Sequence, residues 1–286
     1  MCPTHSETVA RILVTVDGSR PSDVAATMAV EIARAQSYMV DSVYVVDETI
    51  VLDPYASYQA EAHTNDELSS REEILSALEI HGNRALAKMA ALCEELQVPH
   101  SEEILFGNVV DLIGERAGGR LLLAFGRRGN RHAHDHATLG QHVHGILHHV
   151  HTSLLIGGNR IAPLDDVLVA YNGSAFAHHA LLWAYALQRA MNVRVHILTV
   201  TEQDAEGQGA GLGQQALAHI ALPDREHYSV HVASGHPGTA IVEEAERLEV
   251  GLILLGRHPK HSLADWWRGS TLEYVLRHSE RTVLVA

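Results

Sequence analysis

Cysteine is nearly absent from this sequence of 286 residues, which contains only Cys2 and Cys93. Two cysteines cannot build a disulfide framework or a cysteine-rich zinc module, so both kinds of small domain are excluded. Long apolar runs are also missing, because none approaches the roughly 20 residues that a membrane-spanning helix needs. The first residues lack the basic and apolar stretches of a secretory signal. We therefore expect no membrane contact and a cytoplasmic location.

Basic residues are scarce relative to acidic ones. Lys and Arg total 21 and Asp and Glu total 35, which gives a net charge of −14 at neutral pH. This balance disfavours nucleic acid and anionic membranes as partners, since both attract a basic surface. It leaves room for a local phosphate site. Protonation of all 22 histidines would move the net charge from −14 to +8, so the charge of the chain is unusually sensitive to pH between about 5 and 7.

What the sequence does contain is a repeat. The segments RILVTVDGS at 11–19 and DVLVAYNGS at 166–174 are two copies of a strand-like run that ends in a turn. An alanine-rich segment with helical spacing follows each copy. Further apolar strands then alternate with helical segments in the same order. The first copy includes a long helix near 68–97. The second has instead a glycine-rich stretch at 205–216, which we predict to be a mobile loop before a weaker helix.

Strands that alternate with helices predict parallel βαβ units with helices on both faces of a sheet. We predict an α/β fold with two tandem doubly wound parallel-sheet domains, 9–158 and 164–286, related by a pseudo-twofold axis. The residues 157–166 between them contain Gly, Asn and Pro and are expected to form the linker. Sheets of this kind bind ligands at the carboxyl ends of their strands. The repeated positions Asp17 and Asn172 fall there.

Each half also repeats a loop between its fourth strand and its last helix. The residues that mark the two loops are Gly126, Gly129 and Gly140, then Gly256, Gly269 and Ser270. Glycine allows backbone amides to approach phosphate oxygens, and a helix that opens after Gly-Ser presents its N-terminus to an anion. An arginine follows the first glycine of each loop and adds positive charge. The loops therefore predict a phosphate site in one or both halves.

With these motifs the sequence resembles the universal stress protein family in its tandem two-domain form. The resemblance is carried by VTVDGS and VAYNGS, by GRRG…LGQ and GRHP…GST, and by ILHHVHTSLLI and VLRHSERTVLV. In nucleotide-binding members of the family the loop cradles the phosphates, while the strand-one aspartate and the backbone at the end of strand two hold the adenosine. The resemblance implies these nucleotide-binding positions: Asp17, Val45, Gly126, Arg127, Gly129, Gly140 and Gln141 in the first half, and Asn172, Val200, Gly256, Arg257, Gly269, Ser270 and Thr271 in the second.

Each half departs from the family pattern of Gly, two residues, Gly, nine residues, Gly and Ser or Thr. The first half has ten residues between Gly129 and Gly140, and Gln141 replaces the hydroxyl residue. The second half keeps the spacing, but Pro259 replaces the second glycine and Asn172 the aspartate. Proline removes an amide donor, which costs about 1.5–3 kcal/mol of binding. The phosphate end matches better in the second half, which we favour slightly, and the adenosine end matches better in the first.

The histidines of the first loop raise the question of a metal. His132, His134 and His136 alternate in the loop, and His144 and His148 lie one helical turn apart, a spacing that allows two imidazoles to share a metal ion. No cysteine lies nearby, and one carboxylate accompanies the cluster. We therefore favour solvated surface histidines over a dedicated zinc site. They would also suit a phosphate site whose affinity depends on pH.

Two further signals are interpreted as structural. The stretch GLGQQA at 211–216 matches a loose dinucleotide fingerprint, but it does not follow strand one and is read as part of the flexible loop. Trp266 and Trp267 are expected to anchor the second loop rather than stack on a base.

Together with the resemblance, these observations imply a stress-response protein that binds ATP or AMP, with Mg²⁺ in the case of ATP, and acts as a sensor or regulator. The alternatives are a slow ATP hydrolase and a nucleotide-free module that responds to proteins or metals. Within the chain, the last strand of each half is expected to pair with the other. Homodimerisation through other faces stays open, as does the identity of any protein partner.

Overall fold

The computed structural model describes residues 9–47, 71–129, 139–201, 206–257 and 270–286. Strands and helices alternate through these residues, as the repeat predicts, and the ten strands found there join into a single sheet. Within the same ranges, no helix has both the length and the apolar composition to cross a bilayer.

The first half supplies five strands and four helices within the described ranges. They are β1 (Arg11–Thr15), α1 (Arg20–Gln36), β2 (Met39–Asp47), α2 (Arg71–Glu95), β3 (His100–Gly107), α3 (Val109–Ala117), β4 (Leu122–Gly126), α4 (Gln141–His149) and β5 (Ser153–Gly157). The predicted long helix near 68–97 corresponds to α2.

The second half repeats this order, again for the part of the chain that the structure describes. Its elements are β6 (Asp166–Ala170), α5 (Ala175–Met191), β7 (Arg194–Thr201), α6 (Glu206–Ala218), a 3₁₀ turn (Leu222–His227), β8 (Tyr228–Ser234), α7 (Pro237–Arg247), β9 (Leu252–Leu255), α8 (Thr271–His278) and β10 (Thr282–Val285).

The two halves meet at their last strands. The strand order is β3-β2-β1-β4-β5-β10-β9-β6-β7-β8, and each half therefore has the order of a doubly wound fold. The neighbouring strands are parallel within each half, whereas β5 and β10 run antiparallel with Leu155 opposite Leu284. A pseudo-twofold axis passes between these two strands. The predicted fold class is confirmed, and the last strands pair within one chain.

The sheet is apolar on both sides because helices cover both. In β1, Ile12 and Val14 join the core beneath α1 and α2, whereas Leu13 faces the core beneath α3 and α4. The second half divides its helices in the same way, with α5 and α6 on the first side and α7 and α8 on the other. Strands that are buried on both faces read as continuous apolar runs, which is why they stand out in the sequence.

The glycine-rich stretch of the second half is helical, and its prediction as a mobile loop was wrong. Residues 206–218 form α6, which packs against β7 and β8. A Cβ at Gly213 would lie 2.2 Å from Val230 Cγ1, and one at Gly209 would lie 2.7 Å from Val232 Cγ1. Glycine at this four-residue spacing lets the helix approach the sheet closely, so tertiary packing overrides the low helix propensity of the sequence. The motif at 211–216 lies within a helix, where it cannot act as a dinucleotide loop.

Candidate functional site

A pocket of about 150 Å³ opens at the carboxyl ends of β1, β2 and β4, where the fold predicts a ligand site. The start of the first loop and the N-terminal end of α4 form its rim. Its walls are Thr15, Val16, Asp17, Tyr44, Val45, Asp47, Leu78, His81, Val109, Ile113, Phe125, Gly126, Arg128, Gly129, Gly140, Gln141, His142, Val143 and Ile146. All the first-half residues implied by the resemblance lie here, with the exception of Arg127.

The carboxylate of Asp17 is fixed by the turn between β1 and α1. Its Oδ1 accepts a hydrogen bond from the Ser19 amide at 2.8 Å, and its own amide donates to Ser22 Oγ at 3.2 Å. Burial raises the pKa of the Asp17 carboxyl, and the hydrogen bonds with Ser19 and Ser22 oppose that shift. The group is thus a partly desolvated acceptor held in a fixed position, which suits it to bind the hydroxyl or amino group of a ligand.

Helix α2 closes the pocket over this turn. His81 Nε2 donates to the backbone carbonyl of Asp17 at 3.0 Å. Gly18 between them has a φ of +74°, and a Cβ at that position would lie 2.6 Å from His81 Nε2. The left-handed backbone and the close approach both require glycine, so the DGS signal of the sequence has a structural reason.

The first loop begins against the same turn. Ser19 Oγ donates to the carbonyl of Arg128 at 3.0 Å and caps α1 by accepting from the Ser22 amide at 3.3 Å. A Cβ at Gly129 would lie 3.6 Å from Asp17 Oδ2, and none of the other described atoms beyond its chain neighbours lies within 4 Å of it. Within the described residues, the backbone at Gly129 is therefore open toward the pocket, next to the carboxylate.

Arg127, which was expected to add charge to the pocket, points away from it. Its side chain is 1% exposed, and its guanidinium donates to four carbonyls, those of Gly157, Leu276, Ser279 and Arg281. Three of these acceptors lie at the end of α8 and just beyond it, across the pseudo-twofold axis. Burial lowers the pKa of Arg127 to about 10. Its neighbour Arg128 lines the pocket instead, since successive residues of an extended chain face opposite ways.

Helix α4 presents its N-terminus to the pocket. Gly140 is its N-cap, and none of the described side chains caps it by a hydrogen bond. The buried residues Val143 and Ile146 of α4 correspond to Leu272 and Val275 of α8. By this register Gln141 matches Ser270, so α4 begins one residue earlier than α8, and the first loop is one residue longer, as its sequence indicates. An uncapped first turn retains amide groups and a dipole that favour an anion.

Several pocket residues were missed in the sequence: Tyr44, Asp47, His81, Arg128 and His142. Tyr44 and Asp47 flank Val45 on β2, where the strand pattern signals burial and not a ligand. His142 Nε2 lies 3.5 Å from Asp47 Oδ2, across the pocket from β2 to α4. His81 lies more than 60 residues from Asp17, so no local pattern could place it here.

The second-half residues occupy the related strand ends, with different chemistry. Asn172 Oδ1 accepts from the Ser174 amide at 3.1 Å, as Asp17 does from Ser19. Ser270 Oγ accepts from the Glu273 amide at 3.1 Å and so caps α8, which begins at Thr271. Val200 lies on β7, one residue before the end of that strand. Predicted residues on the loop itself, namely Pro259, Trp266, Trp267 and Gly269, lie outside the described residues.

Arg257 repeats the arrangement of Arg127 in weaker form. One of its guanidinium nitrogens donates to the carbonyl of Leu147 near the end of α4, so each half reaches across the axis to the last helix of the other. Its Nη1 is buried and has no hydrogen-bond partner among the described residues. Gly256 before it approaches α5, because a Cβ there would lie 2.3 Å from the carbonyl carbon of Phe176.

The histidine candidates for a metal site are divided. His132, His134 and His136 fall outside the described residues. His144 and His148 lie on α4 but are half-buried rather than fully solvated, and desolvation lowers the pKa of both. Charged residues of the second half contribute as well: Glu273 acts to raise the pKa of His144, and Arg257 acts to lower that of His148. No group of three or more metal-binding side chains forms within the described ranges.

Comparison with known proteins agrees with this geometry. The model of the universal stress protein family matches residues 8–156 and 163–286. Universal stress protein Slr1230 of Synechocystis sp. is 26% identical over 194 residues, which are 67% of this chain and 65% of that protein, slightly less than two thirds of its length.

Two solved structures share the fold over nearly the whole chain. A universal stress protein from Archaeoglobus fulgidus has a TM-score of 0.72 and 20% identity, and the match covers 96% of this chain and 97% of that one. A putative universal stress protein from Pseudomonas aeruginosa has a TM-score of 0.66 and 15% identity, with 97% and 93% covered. At these identities the likeness concerns the fold.

Proposed function

The chain belongs to the universal stress protein family, and from that premise we propose that it binds an adenine nucleotide, ATP or AMP, in the pocket of its first half. In this proposal the protein acts as a sensor or regulator whose occupied and empty states differ. The second half, favoured slightly by its sequence, becomes the secondary candidate.

One observation carries the proposal. One pocket brings the carboxylate of Asp17 beside the backbone at Gly129 and near the N-terminus of α4, which none of the described side chains caps. Asp17 and the backbone at Val45 suit the hydroxyl and amino groups of adenosine, as the family resemblance implies. The loop backbone, the cationic side chain of Arg128 and the first turn of α4 suit the phosphates. Donors and acceptors thus lie at the two ends that a nucleotide requires.

The second half supports binding less well at its adenosine end. Asn172 replaces a carboxylate with a neutral amide, and Leu212 lies against Gly173 where His81 lies against Gly18. Hydrogen bonds to a charged acceptor are worth about 1.5–3 kcal/mol, more than those to a neutral one. This difference is our reason for placing the nucleotide in the first half.

The first experiment is to denature the purified protein and identify the small molecule released by mass spectrometry. We expect ATP or AMP near one per chain. Calorimetric titration with both nucleotides should then show about ten- to hundred-fold weaker binding in D17N, because a charge-assisted bond is lost. D111N is the matched control. Asp111 lies on α3, is exposed and does not line the pocket, so the same change of charge there should leave affinity unaltered.

Three outcomes would change the conclusion. Weaker binding in S270A but not in D17N would move the site to the second half. Magnesium-dependent ATP turnover that disappears in D17N would make the protein a slow hydrolase. A protein that copurifies empty and ignores added ATP and AMP would contradict nucleotide binding and favour an interaction module.

A further inference from the structure

A second polar cluster lies far from the pocket, at the outer edge of the second half. His196 on β7 donates from Nε2 to Asp166 Oδ1 at 2.9 Å, and its Nδ1 lies 2.9 Å from Ser229 Oγ on β8. The same Nδ1 lies 3.2 Å from Nε2 of His231, and Ser229 Oγ is also 2.9 Å from that nitrogen. His231 Nδ1 lies 3.1 Å from Glu244 Oε1 on α7. We call these five residues the histidine network.

The centre of the network has fewer protons than hydrogen-bond acceptors. The carboxylate of Asp166 places a proton on Nε2 of His196, and the carboxylate of Glu244 places one on Nδ1 of His231. Both inner nitrogens then offer lone pairs to each other across 3.2 Å. The single hydroxyl proton of Ser229 can satisfy only one of them. One additional proton between the imidazoles completes the network. Two additional protons would place an N–H group on each of the facing nitrogens, and these groups would repel each other.

Two arginines add positive charge from outside. Arg194 on β7 pairs with Asp166 at 2.5 Å, and Arg247 on α7 pairs with Glu244 and reaches to 3.4 Å from His231 Nδ1. Because Glu244 lies nearer to His231 than Arg247 does, the proton on Nδ1 is favoured over a lone pair there. The arginines make a second proton on the imidazoles less favourable, since each already neutralises a carboxylate.

The first half has the same network with its charges reversed. Strand register makes Arg11 and Asp41 the counterparts of Asp166 and His196. Ser101 stands where Ser229 does, and it donates to Asp41 at 2.8 Å. The pair of Arg116 and Glu103, at 2.7 Å, replaces Glu244 and His231, and Arg120 adds a further bond to Asp41. This version is built from arginines, carboxylates and a serine hydroxyl, and it contains no imidazole at the counterpart positions.

We propose that His196, Ser229 and His231 share the first proton taken up on acidification, and that a second proton sets the two imidazoles against each other and loosens β8 from β7 at the edge of the sheet. The second half thereby acquires an acid-sensitive edge that the first half lacks. This inference does not depend on nucleotide binding, since none of these residues lines the pocket.

The surroundings of the network favour a loss of stability on acidification, as the proposal requires. The side chains of His196 and His231 are 14% and 21% exposed, so protons can reach them while both remain partly desolvated. Desolvation lowers the pKa of His231, an effect that Glu244 opposes and the nearby His196 reinforces. A histidine whose pKa is lowered by folding stabilises the fold while it is neutral, and that stability is lost as the pH falls below about 6.5.

Hydrogen exchange on the full chain tests the loosening of β8. After correction for intrinsic exchange rates, amides of β8 should lose about tenfold in protection between pH 7.5 and pH 5.5, while those of the counterpart strand β3 should not. H231Q should abolish the loss, because glutamine keeps a polar side chain but cannot take up the proton. H227Q is the matched control, since His227 lies just before β8 and outside the network, and it should respond as the wild type does.

Imidazole NMR signals test the shared proton separately. The signal of His231, assigned from its loss in H231Q, should titrate in two steps in the wild type and in a single step in H196Q. Independent one-step titration in the wild type would overturn the shared proton. An equal loss of protection in β3 and β8, or a loss that persists in H231Q, would overturn the loosening of β8.

Discussion

The two halves of this sheet share a backbone and differ in what they place at the end of their first strand. In the first half, Asp17 holds a carboxylate under His81 of α2. In the second, Asn172 makes the same hydrogen bond to the following turn, and Leu212 and Gln215 of α6 cover it. The turn itself therefore needs only an acceptor at this position. The negative charge of Asp17 is not needed for this hydrogen bond, which supports its proposed role in binding a ligand.

The helices that follow the second strands account for much of this difference. Helix α2 stands over Tyr44, with which His81 makes a tilted ring contact at 6.0 Å. In the second half Thr199 takes the place of Tyr44, and its Oγ1 donates to the carbonyl of Gly209 on α6 at 3.0 Å. An aromatic side chain in one half and a hydroxyl bonded to the helix in the other thus distinguish a pocket wall from a packed interface.

The largest expected difference between the two halves concerns Arg127 and Arg257, each of which reaches across the pseudo-twofold axis. We expect R127M to lower the free energy of unfolding by about 3–5 kcal/mol, because four buried carbonyls lose their donor at once. R257M should cost about 1 kcal/mol, since one acceptor is involved and one guanidinium nitrogen is already unpartnered among the described residues. Urea unfolding of the two variants beside the wild type measures both.

Equal losses in R127M and R257M would mean that the two arginines hold the halves together alike, contrary to the asymmetry of their bonds. Methionine is suitable in both places because it retains the length of the side chain without its donors.

The sequence predicts the fold better than it predicts the site, for a physical reason. Apolar strands buried on both faces and the repeated turn at Asp17 and Asn172 leave local signals, so the order of elements can be derived from them. The pairing of the last strands was expected only from the resemblance to the family. Arg127 and Arg128 are adjacent and chemically identical, and only the path of the loop decides which one enters the pocket. His81 reaches the site through a long-range contact that no spacing encodes.

Histidine content misleads in the same way. The clustered histidines of the first loop attract attention, yet His196 and His231 lie 35 residues apart in the sequence and meet only through the register of β7 and β8. Their partner Glu244 comes from a helix. Side-chain networks across strands depend on pairing, which the sequence of one strand does not specify.

Two Gly→Ala substitutions in α6 are expected to change the free energy of unfolding in opposite directions. G213A should lower the free energy of unfolding by about 1–3 kcal/mol, since its Cβ would stand 2.2 Å from Val230 Cγ1. G211A should raise it by about 0.5–1 kcal/mol, because nothing lies within 4 Å of a Cβ there and alanine favours the helix. Thermal and urea unfolding give both values. Stabilisation by G213A would contradict the close approach of α6 to the sheet.

The smallest expected effect concerns the negative charge of Asp17. Burial raises the pKa of Asp17 in the folded protein, so the folded state binds its proton more tightly than the unfolded chain does. The contribution of this proton to stability is complete at low pH and is lost as the pH rises through the folded pKa. D17N, which imitates Asn172, should therefore be slightly more stable than the wild type at pH 7, and the difference should shrink as the pH falls toward 4. Urea unfolding of both proteins across this range measures the difference. If D17N were less stable at pH 7, the carboxylate would be part of the fold, and the reason for assigning it to a ligand would be lost.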